Sequence, residues 1–385
     1  MMTHNDQLML YFLKVALGKA TTVDLPNATF DKNALLEAAM KQCITAVVFD
    51  GMRQWMAEQP ATTVSYDEKV SKLKWMAMAM KAEKKYAKHQ KAMAELAELY
   101  GQVGIRMMVL KGYGLAQYWP IPAHRGLGDI DIFLMDASNH QCTDTMPAWQ
   151  RGDEALKQRL GIAIDGSHHH HSVFVYNDLM VENHFDFINV HSHRSNRWIE
   201  NVFKQLAAES HEELTLDNGA TIAVPSPTLN CLFTVRHTAV HFAAEHMNLR
   251  QLTDWALLIE HRHADIDWTL FWNMCRRMGM EKFVLCMAYI AIEQLGFDRQ
   301  LFHIPESQAQ FGTKEHALIM RVLDNILHRT DEGNYGKGIA YIINRAKLWQ
   351  SNIWKHRIVY KDSVLSTVLT QVKSHLMKPT TFLGE

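Results

Sequence analysis

No apolar run in this chain of 385 residues approaches the roughly 18 residues that a membrane-spanning helix needs, so a helical membrane protein is not expected. Cysteine is scarce: Cys43, Cys142, Cys231, Cys275 and Cys286 are odd in number, widely spaced and without a CxxC. That excludes a disulfide framework and reads as reduced thiols of a cytoplasmic protein. Net charge is also missing. Forty Lys and Arg stand against forty-one Asp and Glu, so no overall basic coat marks the chain for nucleic acid or a membrane surface. The start, MMTHNDQLMLYFLKVALGKA, has neither a basic n-region nor a clear cleavage site, which fits the same cytoplasmic expectation. There is no G-x-S-x-G to support serine hydrolysis, no internal repeat and no low-complexity segment. What is present, 48% hydrophobic and 21% charged residues, is ordinary for a folded chain with a sizeable core and room for two or three domains.

Three segments differ in pattern. Residues 1–100 are expected to form an N-terminal helical region, from apolar residues at three-and-four spacing in QLMLYFLKVAL, NALLEAAMKQCITAVVFDGMRQWM and SYDEKVSKLKWMAMAMKAEKKYAKHQKAMAELAELYGQVG, with a loop at AEQPATT. Gly101 and Gly104 end the third stretch. Its lysines, Lys81, Lys84, Lys85, Lys88 and Lys91, alternate with Glu83, Glu95 and Glu98, so a solvated helix face explains them without nucleic acid. Residues 101–224 read as an α+β core: strands at IRMMVLKG, DIDIFLM, HHHHSVFVY and LMVENHFDFINVH, the last two joined by the turn NDL, with helices at YGLAQYW and AWQRGDEALKQRLG. Residues 225–385 return to helix. Ser226 caps a helix with Pro227 in its first turn. Four further helices, the Gly-rich turn DEGNYGKG and a basic tail follow, the tail expected to pack Trp349 and Trp354 on the domain.

The chemistry concentrates in HRGLGDIDIFLMD. On a strand, Asp129 and Asp131 point to one face while Ile130 and Ile132 enter the core. Two like charges side by side are tolerated when a cation lies between them, so the pair reads as a magnesium site. Lys111 and Gly112 fall at a strand end before a short helix, a place where backbone N–H groups suit a phosphate. In LMVENHFDF the alternation puts Glu182, His184 and Asp186 on one face, and Glu182 as third carboxylate would complete a two-ion clamp for in-line displacement at a nucleotide phosphate. Arg125 is placed to neutralise developing phosphate charge, and His184 and Asp186 to orient Glu182.

Histidines add other candidates. His237 and His241, at i and i+4 on one helix, could grip a metal with Asp254 downstream, as in an all-helical phosphohydrolase. Such enzymes need an adjacent His-Asp pair, and none occurs, so His237, His241 and Asp254 are expected in the cleft between core and helical domain. The run GSHHHH at 166–171 leads straight into a strand pattern and is expected at the surface for the most part. The methionine-rich WMAMAM fits helix packing.

Together, LKGYGLAQYWPIPAHRGLGDIDIFL, the later VENHFDF and LRQLTDWALL at 249–258 resemble the nucleotidyltransferase fold of the DNA polymerase β superfamily, most closely its group of uncharacterised bacterial nucleotidyltransferases. The resemblance covers roughly residues 90–260. It implies a polymerase-β-like α+β core with a mixed sheet, flanked by helical regions, and metal-dependent transfer of a nucleoside monophosphate from an NTP to an acceptor, releasing pyrophosphate. By position, Asp129, Asp131 and Glu182 would bind two Mg2+ or Mn2+ ions, and Lys111, Gly112, Gly114 and Arg125 the nucleotide, with ATP the expected substrate. Tyr113 stands where the group usually has serine after the glycine, and Gly114 follows it. The acceptor, whether a protein hydroxyl, a small molecule or an RNA 3′ end, is left open. The alternative is a catalytically inactive nucleotide-binding or interaction module.

Overall fold

The computed structural model describes residues 2–22, 30–58, 66–137, 145–244, 246–306, 312–328, 339–367 and 370. Cys142, the DEGNYGKG turn, most of the AEQPATT loop and the end of the basic tail lie outside them.

Helix α1 (His4–Ala16) begins at a capping box: Asp6 N–H donates to Thr3 Oγ1 at 3.2 Å and Thr3 N–H to Asp6 Oδ2 at 2.7 Å. Its apolar face, with Leu8, Phe12 and Leu13, packs on α3 (Thr45–Ala57). The backbones meet closely there, since a Cβ on Gly51 would lie 1.9 Å from the Phe12 carbonyl oxygen. The apolar pattern of residues 33–56 suggests one helix, but α2 (Lys32–Lys41) ends before α3 begins, with Cys43 at φ +56°. Gln42 explains the break. Its buried amide donates to the Ile326 carbonyl at 2.8 Å and accepts from Leu249 N–H at 2.8 Å, partners that a continuous helix could not reach.

Helix α4 (Tyr66–Gly101) has 36 residues, a rod of about 54 Å. Trp75 and Ala79 enter one apolar cluster, whereas Ala92, Met93, Leu96 and Tyr100 enter another. Lys88 and Lys91 pair with Asp178 and Glu95 on its solvated face.

The fold is α+β, as expected, and the described residues form six strands in a mixed sheet of order β3-β4-β2-β1-β6-β5. These are β1 (Ile105–Leu110), β2 (Ile130–Asp136), β3 (His171–Tyr176), β4 (Leu179–His184), β5 (Glu213–Thr215) and β6 (Thr221–Ala223). β1 runs antiparallel to β2, and β2 runs parallel to β4 with Asp131 opposite Glu182. The β3–β4 hairpin turns at Asn177 and Asp178, both at positive φ, as a two-residue turn requires. Ile130, Ile132, Leu134 and Val181 face the cluster shared with α4 and α6 (Ala148–Leu160). Asp131, Phe133, Glu182 and His184 occupy the other face, because side chains alternate along a strand.

That second face meets helices from both ends of the chain: Phe133 and Leu110 share one apolar cluster with α1, α3, α8 (Pro227–Ala244), α9 (Leu249–Arg262), α10 (Trp268–Met278), α11 (Glu281–Leu295) and α12 (Thr313–Leu327). α7 (Asn196–Ala208) also packs here through Ile199 and Phe203. In α13 (Ile339–Val359) Trp354 meets Phe242 at 5.6 Å between ring centroids, and Trp349 is half-buried. No helix among the described residues is long and apolar enough to cross a membrane.

A short turn at Pro122–His124 lies on the connection from β1 to β2. His124 Nδ1 lies 2.6 Å from Asp50 Oδ2 and Nε2 lies 3.1 Å from Glu83 Oε1, which ties the turn to α3 and α4. The bond to Asp50, opposed by burial and aided by Glu83, raises the imidazole's pKa above its usual 6.5. A raised folded-state pKa stabilises most below the unfolded value and loses that contribution as pH climbs through the folded one. His124→Gln is therefore expected to lower the melting temperature more at about pH 6 than at about pH 8.5. Melting curves at both pH values check it, and a gap independent of pH would mean the ring is neutral in the fold.

Candidate active site

The parallel pairing of β2 with β4 sets the centre of the site. Asp131 and Glu182 are cross-strand neighbours on one face, and His184 stands two residues beyond Glu182 on the same side. One ligand atom from each of the three lies within 4.8 Å of the others. His184 Nε2 is 3.0 Å from Asp131 Oδ1 and 3.3 Å from Glu182 Oε2, and Nδ1 is 3.3 Å from the Asp186 carbonyl. Lys111 Nζ reaches Asp131 Oδ1 at 2.8 Å.

These contacts set the protonation states. Burial alone would push the Asp131 carboxyl up, but Lys111 and His184 together hold it well below the usual carboxylate range. Burial likewise opposes ionisation of Glu182, and the His184 bond overcomes it, leaving the carboxyl lowered. For His184 burial disfavours charge while Asp131 and Glu182 outweigh it, so its pKa is raised. Asp129 goes the other way: burial and the charges of Asp131 and Glu182 raise it, against Lys111. It sits one residue before β2, at the end of an irregular segment. Oxygen donors on Asp131 and Glu182, with Asp129 within electrostatic reach of both and no sulfur present, suit a hard divalent cation such as Mg2+ or Mn2+.

At the end of β1, Lys111 adopts φ +44° and ψ −138°, a sparsely populated conformation for a non-glycine residue, and Gly112 follows at φ +34°. A Cβ on Gly112 would meet Asp129 O at an ordinary 3.8 Å, so glycine is needed there for its backbone angle, not for space. The helix that follows, α5 (Gly112–Ala116), has only five residues and offers little dipole. Tyr113 turns away from the cleft: it is buried, stacks on Tyr86 at 4.8 Å and shares hydrogen bonds with Tyr86 and Gln90 of α4. Gly114 faces Val224 and the Val109 carbonyl, so Gly112 and Lys111 line the cleft while Gly114 does not.

The opposite wall comes from α8 and α9. Lys111, Gly112, Arg125, Asp129 and Asp131 face Thr234, His237, Thr238, Arg250, Gln251 and Asp254 around a partly open cleft of about 70 Å³. That is the scale of a phosphate group with a few waters. Arg125 is not a free cation: it grips Asp254 through two bonds, Nε to Oδ1 at 2.8 Å and a terminal nitrogen to Oδ2 at 2.6 Å, both residues being buried. Trp119 donates a third bond to Asp254 Oδ1 at 2.8 Å. His237 receives a hydrogen bond from Lys111 at 3.4 Å, and burial holds its pKa well below the usual value. His241 is exposed, its ring 4.5 Å from that of His237.

The strand expected through residue 191 stops at His184. Phe185 and Asp186 N–H both bond to the His170 carbonyl, at 3.1 and 3.2 Å, and Glu200 takes the next two amides, Phe187 at 3.0 Å and Ile188 at 3.1 Å. Asp186 thus leaves the alternation and pairs with Lys204, so it does not join Glu182 and His184 on one strand face. Burial raises Glu200 to about 7.

Sequence reasoning did not single out Arg250, Thr234, Thr238 or Gln251. The signal for Arg250 was present: it precedes Asp254 by four residues on one helix, hence on the same face. Arg250 donates to the Gly126 carbonyl at 2.8 Å, and its buried Nε has no partner among the described residues. Buried His89 of α4, with Nε2 3.1 Å from the Gly128 carbonyl, holds the segment before Asp129 and carried no signal among 22 histidines.

A family model described as uncharacterised nucleotidyltransferase matches residues 28–296. A crystal structure of an antigenic nucleotidyltransferase-like protein from Paracoccidioides brasiliensis is similar over 45% of this chain and 75% of its own, at 14% identity and a TM-score of 0.32. No curated protein matches the chain.

Proposed function

Because the chain belongs to the family of uncharacterised nucleotidyltransferases, matched over residues 28–296, we propose that it transfers a nucleoside monophosphate from an NTP, ATP by expectation, to a hydroxyl of an acceptor. The observation that carries the reading is the in-register pair Asp131 and Glu182, bridged by His184, with Asp131 and its partner Lys111 lining a polar cleft. The acceptor oxygen attacks the α-phosphorus, the bond to the bridging oxygen of the β-phosphate breaks, and pyrophosphate leaves with its electron pair. Two divalent ions, Mg2+ or Mn2+, held by Asp129, Asp131 and Glu182, would supply Lewis-acid stabilisation of the phosphate oxygens and lower the pKa of the acceptor hydroxyl. Lys111 exchanges its bond to Asp131 for a phosphate oxygen, and Arg250, whose buried Nε is unpaired among the described residues, lines the same cleft. Arg125, locked on Asp254, fixes the wall rather than meeting the phosphates. Glu182, with 20% of its side chain exposed against 5% for Asp131, is the carboxylate the acceptor hydroxyl meets first, and it takes the proton.

The Lys111–Asp131 ion pair favours one other reading, in which the carboxylate stays closed to metal and the chain only binds a nucleotide. Incubation of the protein with α-labelled NTPs, Mg2+ or Mn2+ and a cell lysate separates the two. The enzyme reading predicts label on a discrete acceptor, lost on chelation. Nucleotide binding without label on any acceptor selects the second reading.

A further inference from the structure

Beside the carboxylates, and outside the cleft just described, three imidazoles converge. The antiparallel register of β3 with β4 sets His171 opposite His184, and the two amides that bond to the His170 carbonyl draw His170 against the end of β4. Ring centroids are 4.4 Å apart for His170 and His171, 5.2 Å for His171 and His184, and 5.6 Å for His170 and His184. One nitrogen from each ring lies within 4.8 Å of the other two. The Nδ1 atoms of His170 and His171 are buried, and neither has a hydrogen-bond partner among the described residues. Buried imidazole nitrogens are normally paired, so two orphans in one cluster mark a place where a ligand-accepting centre belongs.

We propose that His170, His171 and His184 form a second metal site, which shares His184 with the magnesium-type carboxylate cluster and is selective for a borderline transition ion of the Zn2+ or Co2+ class. Three nitrogen donors suit such an ion, whereas Mg2+ demands oxygen and holds its water. Glu182, whose Oε1 lies 3.9 Å from His171 Nε2, links the two sites. A cation here fastens the hairpin's start to the end of β4 and brings positive charge beside Asp131 and Glu182. The exposed neighbour His168 stacks on His171 at 4.6 Å, outside the triad.

The test is a Co2+ titration of the full chain, stripped with a chelator and then held in excess Mg2+, followed by visible absorption and by metal content after gel filtration. One Co2+ per chain with ligand-field bands is expected, undisturbed by Mg2+. His170→Ala with His171→Ala should abolish the bands, while His169→Ala with His191→Ala, which removes histidines near but outside the triad, should leave them. If the double variant does not fold by circular dichroism, His170→Gln alone should weaken Co2+ binding by roughly tenfold or more. Absence of stoichiometric uptake, displacement by Mg2+, or unchanged uptake in the His170 and His171 variants overturns the proposal. No nucleotide enters the assay, so failure here leaves the nucleotidyl-transfer reading standing.

Discussion

Asp131→Asn is expected to reduce nucleotidyl transfer by a factor on the order of 10³ or more while leaving a folded protein. Asparagine keeps the shape of the side chain but removes the negative charge that Lys111 and His184 both contact. The same change deletes an oxygen donor at the centre of the carboxylate cluster, so transition-state stabilisation should fall far more than ground-state affinity. The fold should survive because Asp129 stays within electrostatic reach of Lys111, with a cost of about 1–2 kcal/mol. Label transfer and denaturant unfolding on the same preparation read the two effects separately. Activity within about tenfold of the parent would remove Asp131 from the reaction.

The largest expected effect on stability lies in the cleft wall. Asp254→Ala leaves the Arg125 guanidinium buried without its counter-charge and takes the acceptor from Trp119, so a loss of about 3–5 kcal/mol is expected in denaturant unfolding. Replacing both partners by apolar residues, Arg125→Met with Asp254→Leu, should recover a large part of that loss, because no uncompensated charge is then left inside. If the double variant is less stable than Asp254→Ala alone, the ion pair itself contributes net stability and desolvation is a smaller term than argued. Either variant should also impair catalysis, since Arg125 and Asp254 line the volume that faces Asp129 and Asp131.

The parts of this site legible in the sequence are those with a local period. Asp131 among Ile130, Ile132 and Phe133, and Glu182 followed by His184, announce their faces through strand alternation, and β2 and β4 follow that alternation. Asp129 lies one residue before β2, in the segment that His89 holds through the Gly128 carbonyl, and lines the same cleft as Asp131. Partners distant in sequence left no trace. Arg125 looked free for phosphate because its acceptor, Asp254, lies 129 residues away, and the α2–α3 break follows from Gln42 bonding to backbone 207 and 284 residues distant. β5 and β6, at three residues each, are too short to carry a period, and they form the far edge of the sheet. Asp186 was misplaced because alternation predicts faces only while a strand continues, and Glu200 capturing the next two amides ends it.

The reaction itself is tested most directly by following two labels of one NTP, on the α- and the γ-phosphorus, with the acceptor fraction and the divalent ion present. Nucleotidyl transfer at Asp131 and Glu182 predicts the α label on the acceptor and the γ label in pyrophosphate, with both signals lost in Asp131→Asn and Glu182→Gln. The γ label on the acceptor, or α transfer that persists undiminished in both variants, contradicts it.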